Sequence, residues 1–116
     1  MSFFLTFDIG TTALKTALVD SNGRMLALHT VEYAFHSPRP GWAELAPETY
    51  WRAVIEGTRS VLDRSRANPS DLIAIGFSSQ GQTFIPIDNA GNNLSDAIVW
   101  VDNRAQGIVE SWETEW

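Results

Sequence analysis

The order of apolar and polar positions predicts an α/β protein that begins with three consecutive strands. Residues 3–8 form an apolar run that ends in an acid, and residues 9–12 predict a tight turn. Residues 13–20 and 25–33 predict two more strands, joined by an Asn-Gly pair at 22–23 that supplies the positive φ angles of a short hairpin. These short connections predict an antiparallel three-strand meander.

A helix and a parallel strand are predicted to follow the meander. Pro47 and Glu48 suit the first turn of a helix, and Pro69 ends it. Residues 72–77 are a short apolar run, which predicts a buried strand that runs parallel to its neighbour. This alternation of strands and helix favours α/β architecture. The core-facing stripe of the helix, at steps of three and four, is predicted to be Trp51, Val54, Ile55, Thr58, Val61 and Leu62.

The remaining residues predict two short strands, at 83–87 and 97–101, and a second helix from Asp102 onward. We expect one domain over residues 1–116 that is incomplete, because the second helix is still in progress at its end. The apolar side chains of that helix would then lack a cover, which predicts association between copies of the chain. These side chains are Ile108, Val109 and Trp112.

Composition narrows the function classes. The 116 residues contain no cysteine, which excludes a disulfide scaffold and a thiolate metal site. The formal net charge of -6 argues against a nucleic-acid surface. No apolar run approaches the roughly 20 residues of a membrane span, and no basic segment precedes the first strand as in a signal peptide. We therefore expect a cytoplasmic protein with no nucleic-acid or membrane partner.

The turn after the first strand carries the first group of ligand-binding residues: Asp8, Gly10, Thr11, Thr12 and Lys15. Gly10 lets the backbone approach a ligand closely, and backbone N–H groups with two hydroxyls can line an anion site. Lys15 adds a positive charge, whereas Asp8 can face a phosphate only across a cation such as Mg²⁺. The alternative is a plain hairpin that Gly10 turns and the threonines cap.

Two further groups suit a polyol or sugar. Residues 78–83 follow a predicted parallel strand, where ligands of α/β sheets bind, and their amides can donate to and accept from hydroxyls. Trp100 can stack on a sugar face, while Asp102 and Arg104 bind its hydroxyls. The alternatives are a solvated loop for the first group and, for the second, a core tryptophan followed by a helix cap at Asp102.

Other polar residues are predicted to have structural roles. His29 and His36 are far apart in the sequence and lack metal-ligand spacing, so we expect each to be solvated or in the core. Trp42 lies in a rigid loop and is predicted to pack against the domain, with a ligand contact as the alternative. The sequence offers no clear serine–histidine–acid triad.

In chain order, these motifs resemble the start of the FGGY carbohydrate kinases, the family of xylulokinase, gluconokinase and glycerol kinase. Residues 8–15 resemble the family's first phosphate motif, and residues 40–48 resemble its entry to the first helix. Residues 79–83 resemble its sugar-contacting loop, and residues 100–104 resemble its W-x-D-x-R motif. The resemblance covers nearly the whole chain.

The resemblance implies a ribonuclease H-like fold, as in the actin-like ATPases, and transfer of the γ-phosphoryl group of ATP to a hydroxyl of a sugar or polyol. Asp8 would help to place Mg²⁺. The residues near the phosphates would be Asp8, Gly10, Thr11, Thr12 and Lys15. The residues of the sugar pocket would be Gln80, Gly81, Gln82, Trp100 and Asp102.

The chain departs from the family pattern in two ways. The family's catalytic base, an aspartate, lies beyond residue 116, as does the second domain, so we expect residues 1–116 alone to be inactive. Gly81 and Gln82 replace an Arg-Glu pair of glycerol kinases and a Met-His pair of xylulokinases, which argues against glycerol as the substrate. The alternative function is a non-catalytic nucleotide- or sugar-binding module on the same fold.

Overall fold

The computed structural model describes residues 1–115, and these separate into two units. The first unit contains Met1–Tyr33 and Glu48–Gln80, and the second contains Ala34–Pro47 and the chain from Gly81 onward. In chain order the elements are β1 (Phe3–Ile9), β2 (Ala13–Asp20), β3 (Met25–Glu32), β4 (Glu44–Leu45), α1 (Pro47–Ser65), a 3-10 turn (Pro69–Asp71), β5 (Leu72–Ser79), β6 (Ala97–Ile98) and α2 (Gln106–Glu115).

The first unit is built on a four-stranded sheet in the order β3-β2-β1-β5. Strands β1, β2 and β3 are antiparallel neighbours, whereas β5 lies parallel to β1. This arrangement confirms the predicted meander and the predicted parallel strand. The turn between β2 and β3 has Gly23 at φ 79°, a left-handed conformation that glycine adopts without strain.

The core of the first unit lies between one face of the sheet and α1. Alternate residues of β1 and β2 point to this face, as the two-residue period of a strand requires. Trp51, predicted to belong to the core stripe of α1, is instead 64% exposed. The buried cluster consists of Phe3, Leu5, Phe7, Leu14, Leu18, Ala27, Ala53 and Val61.

The helix α1 approaches the sheet closely at Gly57. A Cβ atom placed on Gly57 would overlap the Thr16 hydroxyl and lie 2.8 Å from the Thr16 Cβ. Thr16 is fully buried in β2. A glycine is therefore required at this contact for steric reasons, and the apolar periodicity of the helix does not show it.

The strand β5 is parallel as predicted but not buried. It lies at the edge of the sheet, and its apolar side chains Ile73, Ile75 and Phe77 are exposed by 59%, 61% and 76%. The prediction of burial was wrong. An apolar run shows that the side chains of a strand are hydrophobic, but it does not show whether another element packs on them. Within residues 1–115, nothing covers this part of the sheet.

The second unit has little regular structure. Strands β4 and β6 form a two-stranded antiparallel sheet, and Phe84 and Ile87 take part only in isolated bridges. The predicted strand at 83–87 was therefore wrong, and the predicted strand at 97–101 is reduced to Ala97–Ile98.

The helix α2 begins at Gln106 rather than at Asp102. Its predicted apolar side chains are exposed, with Ile108, Val109 and Trp112 at 56%, 46% and 60%. Neither helix in residues 1–115 combines the length and the apolar character that are needed to cross a bilayer.

The contact at Gly57 gives a direct test of the packing of α1. Gly57→Ala should destabilise the chain by about 1–3 kcal/mol, because the added methyl group overlaps Thr16 and forces an overpacked core. Gly76→Ala is the matched control, since a Cβ on Gly76 of β5 meets no atom within 4 Å. Urea unfolding followed by circular dichroism measures both variants, and equal stability of the two would contradict the close contact.

Candidate functional site

The turn between β1 and β2 is fixed by backbone hydrogen bonds. The Gly10 N–H donates to the Ala13 carbonyl at 2.9 Å, and the Tyr33 N–H donates to the Thr12 carbonyl at 2.9 Å. The Tyr33 hydroxyl donates to the Gly10 carbonyl at 2.6 Å. A Cβ on Gly10 would lie 2.9 Å from the Ala13 carbonyl oxygen, so no side chain fits here. The sharp turn predicted from the sequence is confirmed.

A chain of hydrogen bonds joins this turn to the residue after β5. The Thr11 hydroxyl donates to the Gln80 side-chain carbonyl at 3.1 Å, and the Gln80 amide nitrogen donates to the Tyr50 hydroxyl at 3.1 Å. The Gln80 backbone N–H also donates to the Ile9 carbonyl at 2.8 Å. Two motifs that are 69 residues apart in the sequence thus meet at the carboxyl ends of two parallel strands.

Two tyrosines support this end of the sheet, and the sequence did not predict their role. The rings of Tyr33 and Tyr50 pack edge to face, with centroids 5.4 Å apart and an interplanar angle of 80°. Burial, together with smaller effects of Tyr50 and of the charge of Asp8, raises the pKa of Tyr33 to about 12. Burial also raises the pKa of Tyr50, against a hydrogen bond from Gln80 that lowers it. Tyr33 therefore stays protonated and continues to donate to Gly10.

Asp8 and Lys15 lie on the sheet face opposite α1. They are direct cross-strand partners, and Asp8 is also level with Ser78 of β5. All three line a hollow of about 430 Å³. Asp8 is exposed, and among residues 1–115 its carboxylate forms no ion pair. One exposed carboxylate suits a magnesium ion that takes its remaining ligands from phosphate and water. Thr12 is exposed at the turn.

The second unit contains a cavity of about 550 Å³ that gathers three of the predicted sugar-contacting residues. Gln82, Trp100 and Asp102 line it together with Trp42 and Arg104. This volume is within the range of small-molecule sites, and the mixture of apolar walls and a few polar groups is typical of them. Its apolar walls are Phe84, Ile98, Val99, Ala105 and Ile108.

The predicted sugar-contacting residues differ in their placement. Gln80 belongs to the first unit, where its side chain is bonded to Thr11 and Tyr50. At Gly81 a side chain would meet open space. Gln82 has φ 63°, a left-handed conformation that costs a non-glycine residue energy and is frequent at functional sites. This conformation of Gln82 was not predicted from the sequence.

Asp102 is held in place by its neighbours. Its side chain is 4% exposed and accepts hydrogen bonds from the Arg104 guanidinium at 2.8–3.0 Å and from the Ala43 N–H at 2.7 Å. Arg104 in turn donates to Glu44 at 2.8 Å. The hydrogen bonds from Arg104, helped by those from backbone N–H groups, lower the pKa of Asp102 to about 2 although burial opposes this. The alternative role of Asp102 as a helix cap is wrong, because α2 begins at Gln106.

Two tryptophans flank this ion pair network and the cavity. The Arg104 guanidinium lies 3.7 Å from the Trp42 ring centroid, and the Arg39 guanidinium lies 5.0 Å from it. Cation–π attraction therefore fixes Trp42 as a wall of the cavity. Trp100 is 50% exposed, and its backbone N–H donates to the Thr83 hydroxyl at 3.1 Å. An exposed indole at a cavity wall can stack on a sugar ring.

The structure also assembles a serine, a histidine and a glutamate that the sequence did not indicate. His29 Nδ1 lies 3.0 Å from the Ser60 hydroxyl, and His29 Nε2 lies 3.1 Å from Glu56 Oε1. Ser60 is inside α1, where the helix already uses the backbone N–H groups that an oxyanion hole would need. We interpret this cluster as a clamp between β3 and α1.

The comparisons with known proteins show the family and the fold of this chain. The profile of the FGGY family of carbohydrate kinases, N-terminal domain, matches residues 3–116. A glycerol kinase of Thermococcus gammatolerans is 34% identical over 98% of this chain, and a xylulose kinase of Staphylococcus xylosus is 36% identical over 95% of it. The crystal structure of a ligand-bound xylulose kinase from Lactobacillus acidophilus superposes with a TM-score of 0.91 at 29% identity, covering 99% of this chain and 23% of that one.

The chain therefore belongs to the FGGY family of carbohydrate kinases, within its N-terminal domain. The α/β sheet of three antiparallel strands and one parallel strand matches sugar kinase structures of the actin-like ATPase fold. The chain spans 23% of the length of the glycerol kinase and 22% of the length of the xylulose kinase.

The network around Asp102 predicts a pH dependence. Because the pKa of Asp102 is lower in the folded than in the unfolded chain, its stabilising effect is fully present above about pH 4. That effect is lost as the pH falls through about 2. Asp102→Asn should lower the free energy of unfolding by about 1–3 kcal/mol at pH 7, since it weakens hydrogen bonds to a charged group.

The measurement is chemical unfolding of the variant and the parent chain at pH 7 and at points between pH 4 and pH 2. The difference in free energy of unfolding between the parent chain and Asp102→Asn should become smaller as the pH falls from 4 to 2. Asp63→Asn is the control, because Asp63 is exposed on α1. A difference that stays constant down to pH 2 would contradict the ion pair.

Proposed function

We propose that this chain forms part of an ATP-dependent kinase that phosphorylates a hydroxyl of a sugar or polyol. The membership of the FGGY family of carbohydrate kinases supports a kinase, and a glycerol kinase from Plasmodium falciparum with a similar fold was solved with ADP, which supports an adenine nucleotide as the phosphoryl donor. The observation that carries the proposal is the hydrogen bond between Thr11 and Gln80, which brings the predicted phosphate turn and the predicted sugar loop to one edge of the sheet. Ligands of α/β sheets bind at the carboxyl ends of parallel strands, and β1 and β5 both end there.

In this proposal the first unit binds the phosphate end of the nucleotide. Asp8 would hold Mg²⁺, which neutralises phosphate charge when bound. Backbone N–H groups of the turn and the Thr12 hydroxyl would bind phosphate oxygens, and Gly10 leaves room for them. The Thr11 hydroxyl would join them by exchanging its hydrogen bond to Gln80 for one to phosphate. Lys15 lies beside Asp8 and would add a positive charge. Asp8, Thr11, Thr12 and Lys15 thus orient the phosphates without forming a covalent bond.

The second unit would bind the sugar or polyol. Trp100 offers an exposed aromatic face, and Gln82 offers an amide that both donates and accepts. Asp102 is positioned by Arg104, so its role is to present a fixed carboxylate to the cavity rather than to transfer a proton. A pKa of about 2 keeps Asp102 ionised at neutral pH, which makes it a poor general acid. Gln80 and Gly81 precede Gln82 in the predicted sugar-contacting loop and would also contact the sugar.

The proton of the attacking hydroxyl would be taken by an aspartate outside residues 1–116. We therefore expect negligible phosphoryl transfer by residues 1–116 alone in a coupled assay with ATP, Mg²⁺ and a panel of sugars. Turnover of about 1 per second or more, as in an ordinary kinase, would contradict this assignment. Weak nucleotide binding is expected of an incomplete kinase site, whereas tight binding by residues 1–116 without turnover would favour the non-catalytic binding module instead.

The role of Asp8 is tested in the full-length kinase that this domain would belong to. Asp8→Ala should lower kcat by at least about 100-fold, as the loss of a charge-stabilising group at a reacting phosphate does. Its effect on stability should stay within about 0.5 kcal/mol, since the side chain is exposed. Steady-state kinetics and thermal unfolding measure the two effects. Asp63→Ala should leave kcat unchanged, and an unchanged kcat in Asp8→Ala would remove Asp8 from the site.

A further inference from the structure

Three side chains that can ligate a metal converge within the second unit, which does not contain Asp8. One ligand atom from each of His36, Glu44 and Asp96 lies within 4.8 Å of the other two. His36 and Glu44 exchange backbone hydrogen bonds at 2.8 and 2.9 Å. Glu44 also pairs with Ile98 of β6, and Asp96 stands two residues before Ile98. Backbone pairing on both sides of Glu44 therefore brings the three side chains together.

The distances between these side chains suit a shared ion better than direct hydrogen bonds. His36 Nε2 lies 3.7 Å from Glu44 Oε2 and 3.5 Å from Asp96 Oδ2. Hydrogen bonds of this kind are about 2.7–3.2 Å long. Two ligand atoms at 2.0–2.2 Å from a tetrahedral zinc ion are roughly 3.3–3.6 Å apart. The two distances from His36 are close to this spacing, and the ligand atoms of Glu44 and Asp96 lie within 4.8 Å of each other.

The charges around the cluster also favour a divalent cation. Glu44, Asp96 and nearby Asp102 carry three negative charges, and Arg104 carries one positive charge that it shares between Glu44 and Asp102. These four side chains therefore carry a net charge of two negative units, which a divalent cation would neutralise. Arg104 binds Glu44 Oε1 and so leaves Oε2 to face His36, in the manner of an outer-shell partner that orients a ligand.

The donor set indicates which ion would bind. One imidazole nitrogen with two carboxylates suits zinc and similar transition metals, whereas Mg²⁺ prefers oxygen ligands alone. The His36 side chain is 55% exposed, so an ion can reach the cluster from solvent.

We propose that His36, Glu44 and Asp96 form a binding site for one zinc-like divalent ion, with water as the fourth ligand. The site shares no residue with the magnesium position proposed at Asp8, and it does not depend on the kinase assignment. A bound ion would tie together the segment at His36, β4 and the start of β6, and it would stabilise the chain by linkage.

The test is a titration of the tag-free chain with Co²⁺ followed by visible absorption, and with Zn²⁺ followed by calorimetry. One ion should bind per chain, and zinc should raise the unfolding temperature. His36→Gln and Asp96→Asn should each weaken binding by at least about 10-fold. His29→Gln should bind as the parent chain does. His29 also faces a carboxylate, Glu56 at 3.1 Å, but no second one among residues 1–115.

Circular dichroism checks that each variant is folded. If His36→Gln does not fold, Asp96→Asn still tests the site. The proposal is overturned if no ion binds up to about 1 mM, which corresponds to a free energy near -4 kcal/mol. It is also overturned if the folded His36 and Asp96 variants retain the parent affinity, or if His29→Gln loses binding equally.

Discussion

The parallel pairing of β1 with β5 is the constraint on which the first unit and its candidate phosphate site depend. Parallel neighbours need a long crossover, and α1 supplies it by packing on the sheet through Gly57 against Thr16. Once the register is set, Asp8 is level with Ser78, and the residues after both strands meet at one edge. The bond between Thr11 and Gln80 is a consequence of that register.

A different principle organises the second unit, in which little regular structure is available. Arg104 acts as its centre, because its guanidinium binds Asp102 and Glu44 and stacks on Trp42. These contacts fix the polar wall of the cavity, and they also set the orientation of Glu44 toward His36. The candidate sugar cavity and the proposed metal cluster therefore share one supporting arginine.

Much of the fold could be predicted because its signals are local. The Asn-Gly pair at 22–23 and the apolar runs that flank it specify a meander without reference to other residues. The exposure of β5 and the contact at Gly57 could not be predicted, since both depend on what packs against an element. At the candidate site, the sequence predicted that Asp102 contacts the sugar. It did not predict the hydrogen bond from Arg104 to Asp102 or the approach of His36 to Asp96, because both depend on the folded arrangement of the chain.

The most direct test of the central claim is amide line broadening by Mn²⁺ and ATP in a ¹⁵N-labelled chain, recorded in the His36→Gln background to remove the second cation site. The signals of Gly10, Thr11 and Gln80 should broaden first, and only when nucleotide and metal are present together, because the metal–nucleotide complex binds where β1 and β5 end. Unchanged signals at these residues, with broadening elsewhere or none at all, would contradict the account.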